Sequence, residues 1–265
     1  MNYCSNSALA HRFVVSAIQV GIGVGCALWL YHADSAKAAD VAPPAARVQP
    51  IKTYSTVLFG GFDIRTHSYY GYAGGVVALN GNIATDGFLL RGLVLYNPYD
   101  YTSTAVAGGV VDGKMTSANA MIGYQKYFQG FVARFYAGAE YEGHRLSPNN
   151  PFDSNEGDHY GVHLRGDLET PYFSQVYGSL LASYGSATQR WWVRGRGGYN
   201  FNGFIIGPEG LLTGNRVTHE QRVGGFVTLR SLAPFEVSVA GGYSRTDDSR
   251  GGGSAYGTLE LSIAF

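Results

Sequence analysis

The chain has 265 residues, a formal net charge of zero and only 14% charged residues. That balance leaves no basic footprint for nucleic acid and no charge argument for an acidic partner. Glycine (38) and tyrosine (20) are far above ordinary usage, a composition shared by low-complexity disorder and by β-barrels that interleave small residues with aromatic girdles.

Residues 13–30 form an apolar run behind His11-Arg12, and Ala36-Lys37-Ala38 follows before Ala39-Asp40. A positive flank, an apolar stretch and a small-residue cleavage site read as a secretory signal peptide over 1–38. The run is also about long enough for a single membrane anchor. Both cysteines, Cys4 and Cys26, precede the expected cut, so the mature chain is expected to carry no thiol and no disulfide. Gly23 stands where a lipoprotein signal at Cys26 would want leucine. Residues 39–53 include Pro43-Pro44 and several alanines and read as a periplasmic linker.

From Tyr54 onward no helical period is sustained. Alternating segments recur instead, and the period-two rule predicts about twelve strands. They fall near 54–65, 69–80, 85–97, 114–126, 131–144, 158–170, 172–186, 190–201, 204–214, 217–230, 235–246 and 255–265. Tight connections are expected at 81–84, 127–130, 171, Asn202-Gly203 and 231–234; Asn-Gly is a preferred two-residue hairpin turn. Long polar connections are expected at 98–113, 145–157 and 247–254. Short turns on one side and long loops on the other are the asymmetry of a barrel in a bacterial outer membrane. A soluble sandwich or lipocalin-like barrel is the alternative, with no reason to segregate its loops.

The last segment is the clearest. Ala255, Gly257, Leu259, Leu261, Ile263 and Phe265 share one face, while Tyr256, Thr258, Glu260 and Ser262 share the other. In a membrane barrel the apolar face meets lipid and the polar face looks into the lumen. The same parity puts Phe131, Phe135, Tyr160, Val162, Leu164 and Leu168 outward. It puts Glu140, Glu142, His144, His159, His163 and Arg165 inward, together with Arg91, Arg134, Arg194, Arg196, Arg222 and Arg230. Asp167, Glu169, Glu209, Glu236 and Glu260 are expected to oppose those arginines. The fold expected is therefore all-β: one antiparallel transmembrane barrel over 54–265.

Several residue sets could carry chemistry. Glu140, Glu142, His144, Asp158, His159 and His163 form the densest ionisable cluster, near the outer mouth. Carboxylate and imidazole together could hold a divalent metal or move protons; mutually compensating lumen charges, which any polar-filled barrel needs, are the simpler reading. His144 and Ser147 lie three apart, and His67-Ser68 sits in a turn, but neither pair has a third partner to orient it. Tyr69, Tyr70, Tyr72, Tyr99, Tyr101 and Trp192 could stack on sugar rings or form an interfacial girdle. Candidate lumen and mouth residues are Glu140, Glu142, His144, His159, His163, Arg165, Arg194, Arg196, Glu209 and Arg222. No catalytic residue, cofactor or metal is assigned.

The stretches Ser68-Tyr-Tyr-Gly-Tyr-Ala-Gly-Gly-Val-Val-Ala-Leu-Asn80, Thr85-Asp-Gly-Phe-Leu-Leu-Arg91 and Gly123-Tyr-Gln125 occur together with Gly138-Ala-Glu-Tyr-Glu142, Ile206-Gly-Pro-Glu-Gly210 and Gln221-Arg-Val-Gly-Gly-Phe226. In combination they resemble the cellulose biosynthesis protein BcsS family across about 55–265. The resemblance implies a role in bacterial cellulose production or export at the outer membrane, and it carries over no catalytic residue. The expected function is a non-enzymatic outer-membrane barrel touching lipid outside and a glucan chain, or its export machinery, inside. A small diffusion channel for oligosaccharides is the alternative, and a lipid- or glycan-modifying barrel enzyme is a third.

Overall fold

The computed structural model describes residues 53–265 except 67, 107–108, 151, 173, 231–233 and 248–251. The expected signal peptide and most of the linker lie outside the described residues. So does most of the expected turn at 231–234.

Twelve antiparallel strands close into one barrel, each paired with its neighbours in sequence. They are β1 (Thr56–Arg65), β2 (Ser68–Ala78), β3 (Gly87–Thr102), β4 (Val110–Tyr127), β5 (Val132–Ser147) and β6 (Gly157–Glu169), followed by β7 (Val176–Gly185), β8 (Arg190–Phe201), β9 (Phe204–Gly214), β10 (His219–Leu229), β11 (Phe235–Thr246) and β12 (Gly252–Ala264). Closure joins β1 to β12, with Val57 opposite Ala264 and Arg65 opposite Tyr256. Phe265 finishes the seam: its N–H donates to Thr56 O and its carbonyl accepts from Ser55 and Thr56. A closed sheet leaves no unpaired edge, which a lipid environment demands.

The outer face is apolar. Leu58, Val94, Ile122, Phe135, Val162, Val223, Val239 and Leu261 are all exposed. In water such a surface would drive aggregation; against acyl chains it is the stable arrangement. Aromatic pairs rim both ends of this belt. Phe62–Tyr69 and Tyr141–Tyr160 lie at the end bearing the longer loops, with centroids 5.8 and 5.3 Å apart. Phe128–Phe131 and Tyr199–Phe201 lie at the opposite end, 4.5 and 4.6 Å apart.

The segment expected as a long loop at 98–113 is mostly strand. β3 runs on to Thr102 and β4 begins at Val110, leaving 103–109 as the connection. The reason is a change of solvent along the strand. Outward positions of β4 are apolar at Ala118, Ala120, Ile122 and Tyr124, then polar at Thr116, Lys114 and Asp112. Above the tyrosine rim the outer face meets water, so the strand continues without an apolar stripe. β5 rises likewise to Ser147, with Arg145 outward. The three neighbouring strands β3 to β5 are therefore the longest of the barrel.

At the opposite end Asn202-Gly203 makes the expected tight turn, with both residues at positive φ (55° and 91°), as a type I′ turn requires. The β2–β3 connection runs over 79–86, longer than the expected 81–84. It is tied inward: Gln125 donates to Ile83 O and Thr85 O at 2.8 and 2.6 Å. Ile83 packs on Ala78, Leu89, Met121 and Tyr136, a small apolar core inside the barrel. Tyr136 lies over Gly123, where an added Cβ would sit 2.3 Å from the ring.

Candidate functional site

Inward charges cannot stay buried without partners, and the lumen satisfies them in layers. Near the long-loop end Arg222 holds Asp63 at 2.7 Å and Glu220 at 2.6 Å, while Arg65 reaches Glu220 at 2.9 Å. At mid-height Arg194 and Arg196 both hold Glu260 at 2.7 Å, and Arg196 also holds Glu209. Near the short-turn end Arg230 joins Glu169 at 2.7 Å and Glu236 at 2.6 Å, with Arg134 on Glu169 at 3.3 Å. Arg165 holds Asp167 at 3.1 Å. Arg194 on β8 and Glu260 on β12 are four strands apart in the ring, so their bond crosses the lumen on a chord.

The expected ionisable cluster does not converge on one point. It divides into two hydrogen-bonded pairs, His163–Glu140 at 2.7 Å and His144–Glu142 at 2.8 Å. Each pair anchors the β7–β8 tip, 186–189: Ala187 N–H donates to Glu140 at 2.8 Å and the Thr188 hydroxyl donates to Glu142 at 2.7 Å. Arg190 completes the anchor on Glu142 at 2.7 Å. His159 bonds instead to the Asn155 carbonyl at 2.9 Å. Asp158 faces outward, where it accepts from Arg145 and Tyr141, both at 2.7 Å. Among the described residues no three of these groups are placed to hold a metal ion. His144 and Ser147 point to opposite faces of β5, His144 buried and Ser147 exposed, so they cannot act as base and nucleophile together. Ser68 is buried with Asn97 donating to its hydroxyl at 3.0 Å.

The aromatic candidates sort cleanly by face. Tyr69 is outward, in the rim. Tyr70, Tyr72, Tyr99, Tyr101 and Trp192 all line the lumen. Tyr99 and Tyr101 stack at 6.3 Å at the mouth, and Tyr99 shares a hydrogen bond with His144 at 3.0 Å. Deeper, Tyr70 lies 6.2 Å from Tyr72 and meets Trp192 edge-on at 6.3 Å. β2 and β8 are diametrically opposite in the ring, so Tyr70 and Trp192 bridge the barrel. Tyr72 donates to Glu260 at 2.9 Å, fixing its ring. Above the lipid belt Tyr101 donates to Asp153 at 2.7 Å. Burial, the Asp153 carboxylate it bonds and that carboxylate's charge push the Tyr101 phenol up to about 12, so it remains a donor.

These side chains enclose a cavity of about 980 Å³ running from the mouth towards the short-turn end, at the upper limit of ordinary ligand sites. Its walls combine aromatic faces with planar charged groups. Four buried polar atoms have neither a hydrogen bond nor an ion pair among the described residues: Asp63 Oδ1, Asn119 Oδ1, Asn155 Oδ1 and Arg196 Nη2. All four residues border this cavity. Three of the four atoms are acceptors, an arrangement suited to a hydroxyl-rich guest. Sequence parity reached most of this lining. Asp63 was recoverable from its neighbours Phe62 and Ile64, which face outward; the inward fold of 186–189 had no periodic signal.

The model of the family described as cellulose biosynthesis protein BcsS matches residues 57–265. No curated protein matches the chain. Among solved structures the chain is similar to the KdgM porin (12% identity, 79% of this chain and 99% of that one, TM-score 0.42). It is also similar to LpxR from Salmonella typhimurium (12%, 80% and 100%, TM-score 0.45). A third is the translocator domain of the autotransporter NalP from Neisseria meningitidis (9%, 98% of each chain, TM-score 0.41).

Proposed function

The chain belongs to the cellulose biosynthesis protein BcsS family, and from that premise we propose that it is a non-enzymatic outer-membrane barrel contacting the glucan chain during cellulose production or secretion. The long-loop end then faces the cell exterior and the short turns face the periplasm. The observation that carries this reading is the aromatic file Tyr101, Tyr99, Tyr70 and Tyr72, with Trp192 opposite, lining one cavity. A glucan chain presents apolar ring faces and equatorial hydroxyls, which such aromatic faces and planar polar groups complement. Chords such as Arg194–Glu260 keep the lumen narrow, which suits contact with a single chain better than free diffusion of large solutes.

Deletion of the gene in its native bacterium tests the proposal. Secreted cellulose and fibre attachment should fall, and the wild-type gene should restore them. A Tyr70→Ala/Trp192→Ala gene should not restore them, although membrane fractionation finds its product in the outer membrane. Unchanged cellulose after deletion would remove this reading, and steady single-channel conductance in planar bilayers would then favour a small-solute channel.

A further inference from the structure

Among the described residues, one arginine that faces the lumen differs from the rest. Every lumen-facing arginine discussed above holds a carboxylate within 3.3 Å. Arg91 on β3 holds none among the described residues. Its guanidinium lies over the Phe59 ring, 5.0 Å from the centroid, and the residue is 7% exposed. None of its nitrogens is among the buried polar atoms lacking a partner, and no hydrogen bond from the described residues fixes them, so they open onto the cavity that Arg91 lines. The local balance agrees. In the short-turn half of the lumen Arg91, Arg134, Arg165 and Arg230 face Asp167, Glu169 and Glu236, four cations to three carboxylates.

A buried cation without a counter-ion is unfavourable unless something supplies the charge. The acceptor Asn119 Oδ1 borders the same cavity without a hydrogen-bond partner among the described residues. Together these groups offer a charge-assisted donor for an oxyanion and an acceptor for a neighbouring hydroxyl.

We propose that Arg91 forms an anion subsite in the lumen, taking a saccharide that carries one carboxylate or one phosphate. The inference deepens the glucan reading, since it places a charged substituent at a fixed depth beyond the Tyr70–Trp192 bridge. Arginine's planar fork suits either oxyanion.

Titration of the refolded barrel in detergent with cellobiose, glucuronic-acid-terminated cellobiose and cellobiose 6-phosphate tests it, with tryptophan fluorescence as the readout. Wild type should bind one or both anionic sugars about tenfold more tightly than cellobiose, equivalent to ~1.4 kcal/mol. The arm that gains identifies carboxylate or phosphate. R91Q should erase the preference and leave cellobiose binding unchanged, while R91K should keep part of it. Both variants should show heat-modifiable migration in unboiled gels, since removing Arg91 strands no carboxylate. Equal affinity for all three sugars, or a preference that survives in R91Q, overturns the subsite and leaves the glucan reading standing. Anion binding without any cellobiose binding supports the subsite and overturns the neutral-glucan reading. No binding of any sugar overturns both.

Discussion

Asp63 illustrates how single residues tie separate strands together inside the barrel. Its carboxylate is 1% exposed and accepts from Arg222 at 2.7 Å and from the Thr258 hydroxyl at 2.7 Å. Arg222 lies against the Tyr256 ring at 5.0 Å, so both charge and stacking fix its plane. Truncating one member of such a pair leaves a charge buried and unpaired. Asp63→Ala should therefore lower stability by about 3–5 kcal/mol, read by urea unfolding in lipid vesicles. An Asp63→Leu/Arg222→Met pair should recover most of that loss, because it removes both charges. If the single change lost under about 1 kcal/mol, the lumen network would be screened by water rather than buried. Residue identities of this kind were legible in part. Parity assigned Arg194, Arg196, Arg222 and Glu209 to the lumen, but it could not pair them, because partners such as Arg194 and Glu260 meet across a chord and not along a ladder.

Strands show where alternation informs and where it stops. β8 and β9 have the expected bounds because their outward stripes carry no charged side chain, as in Trp191, Val193, Tyr199 and Phe201; β11 keeps its expected bounds too, with Arg245 ending its outward stripe. β3, β4 and β5 extend beyond expectation because their outward residues turn polar above the tyrosine rim, as at Asp112 and Lys114. An apolar stripe marks the lipid belt, not the strand. That distinction yields a measurable gradient along one face of β4. Ile122→Arg should cost about 2–4 kcal/mol, and Thr116→Arg about 1 kcal/mol or less. Unfolding in vesicles measures both; equal costs would mean that the rim has been placed wrongly. The β7–β8 tip was illegible for another reason. Its inward fold depends on Glu140 and Glu142 of β5 receiving Ala187 and Thr188, a tertiary contact with no local period.

At the scale of the whole molecule, two solvents act on one sheet. Lipid selects the apolar outer belt, and a confined aqueous lumen selects a nearly neutral lining with paired charges. Closure of β1 on β12 through Phe265 makes the two surfaces continuous. Within that frame the aromatic file is the feature least explained by stability. Tyr70 and Trp192 bridge opposite walls beside open cavity, where a stably filled lumen would have packed them among aliphatic side chains. If this file receives sugar rings, titration of the refolded barrel with cellohexaose will register it in tryptophan emission. Wild type should give a saturable change, and Tyr70→Ala should weaken binding at least about tenfold while Trp192 remains as reporter. No change in wild type, or equal affinity in Tyr70→Ala, would mean that the file does not receive sugar rings.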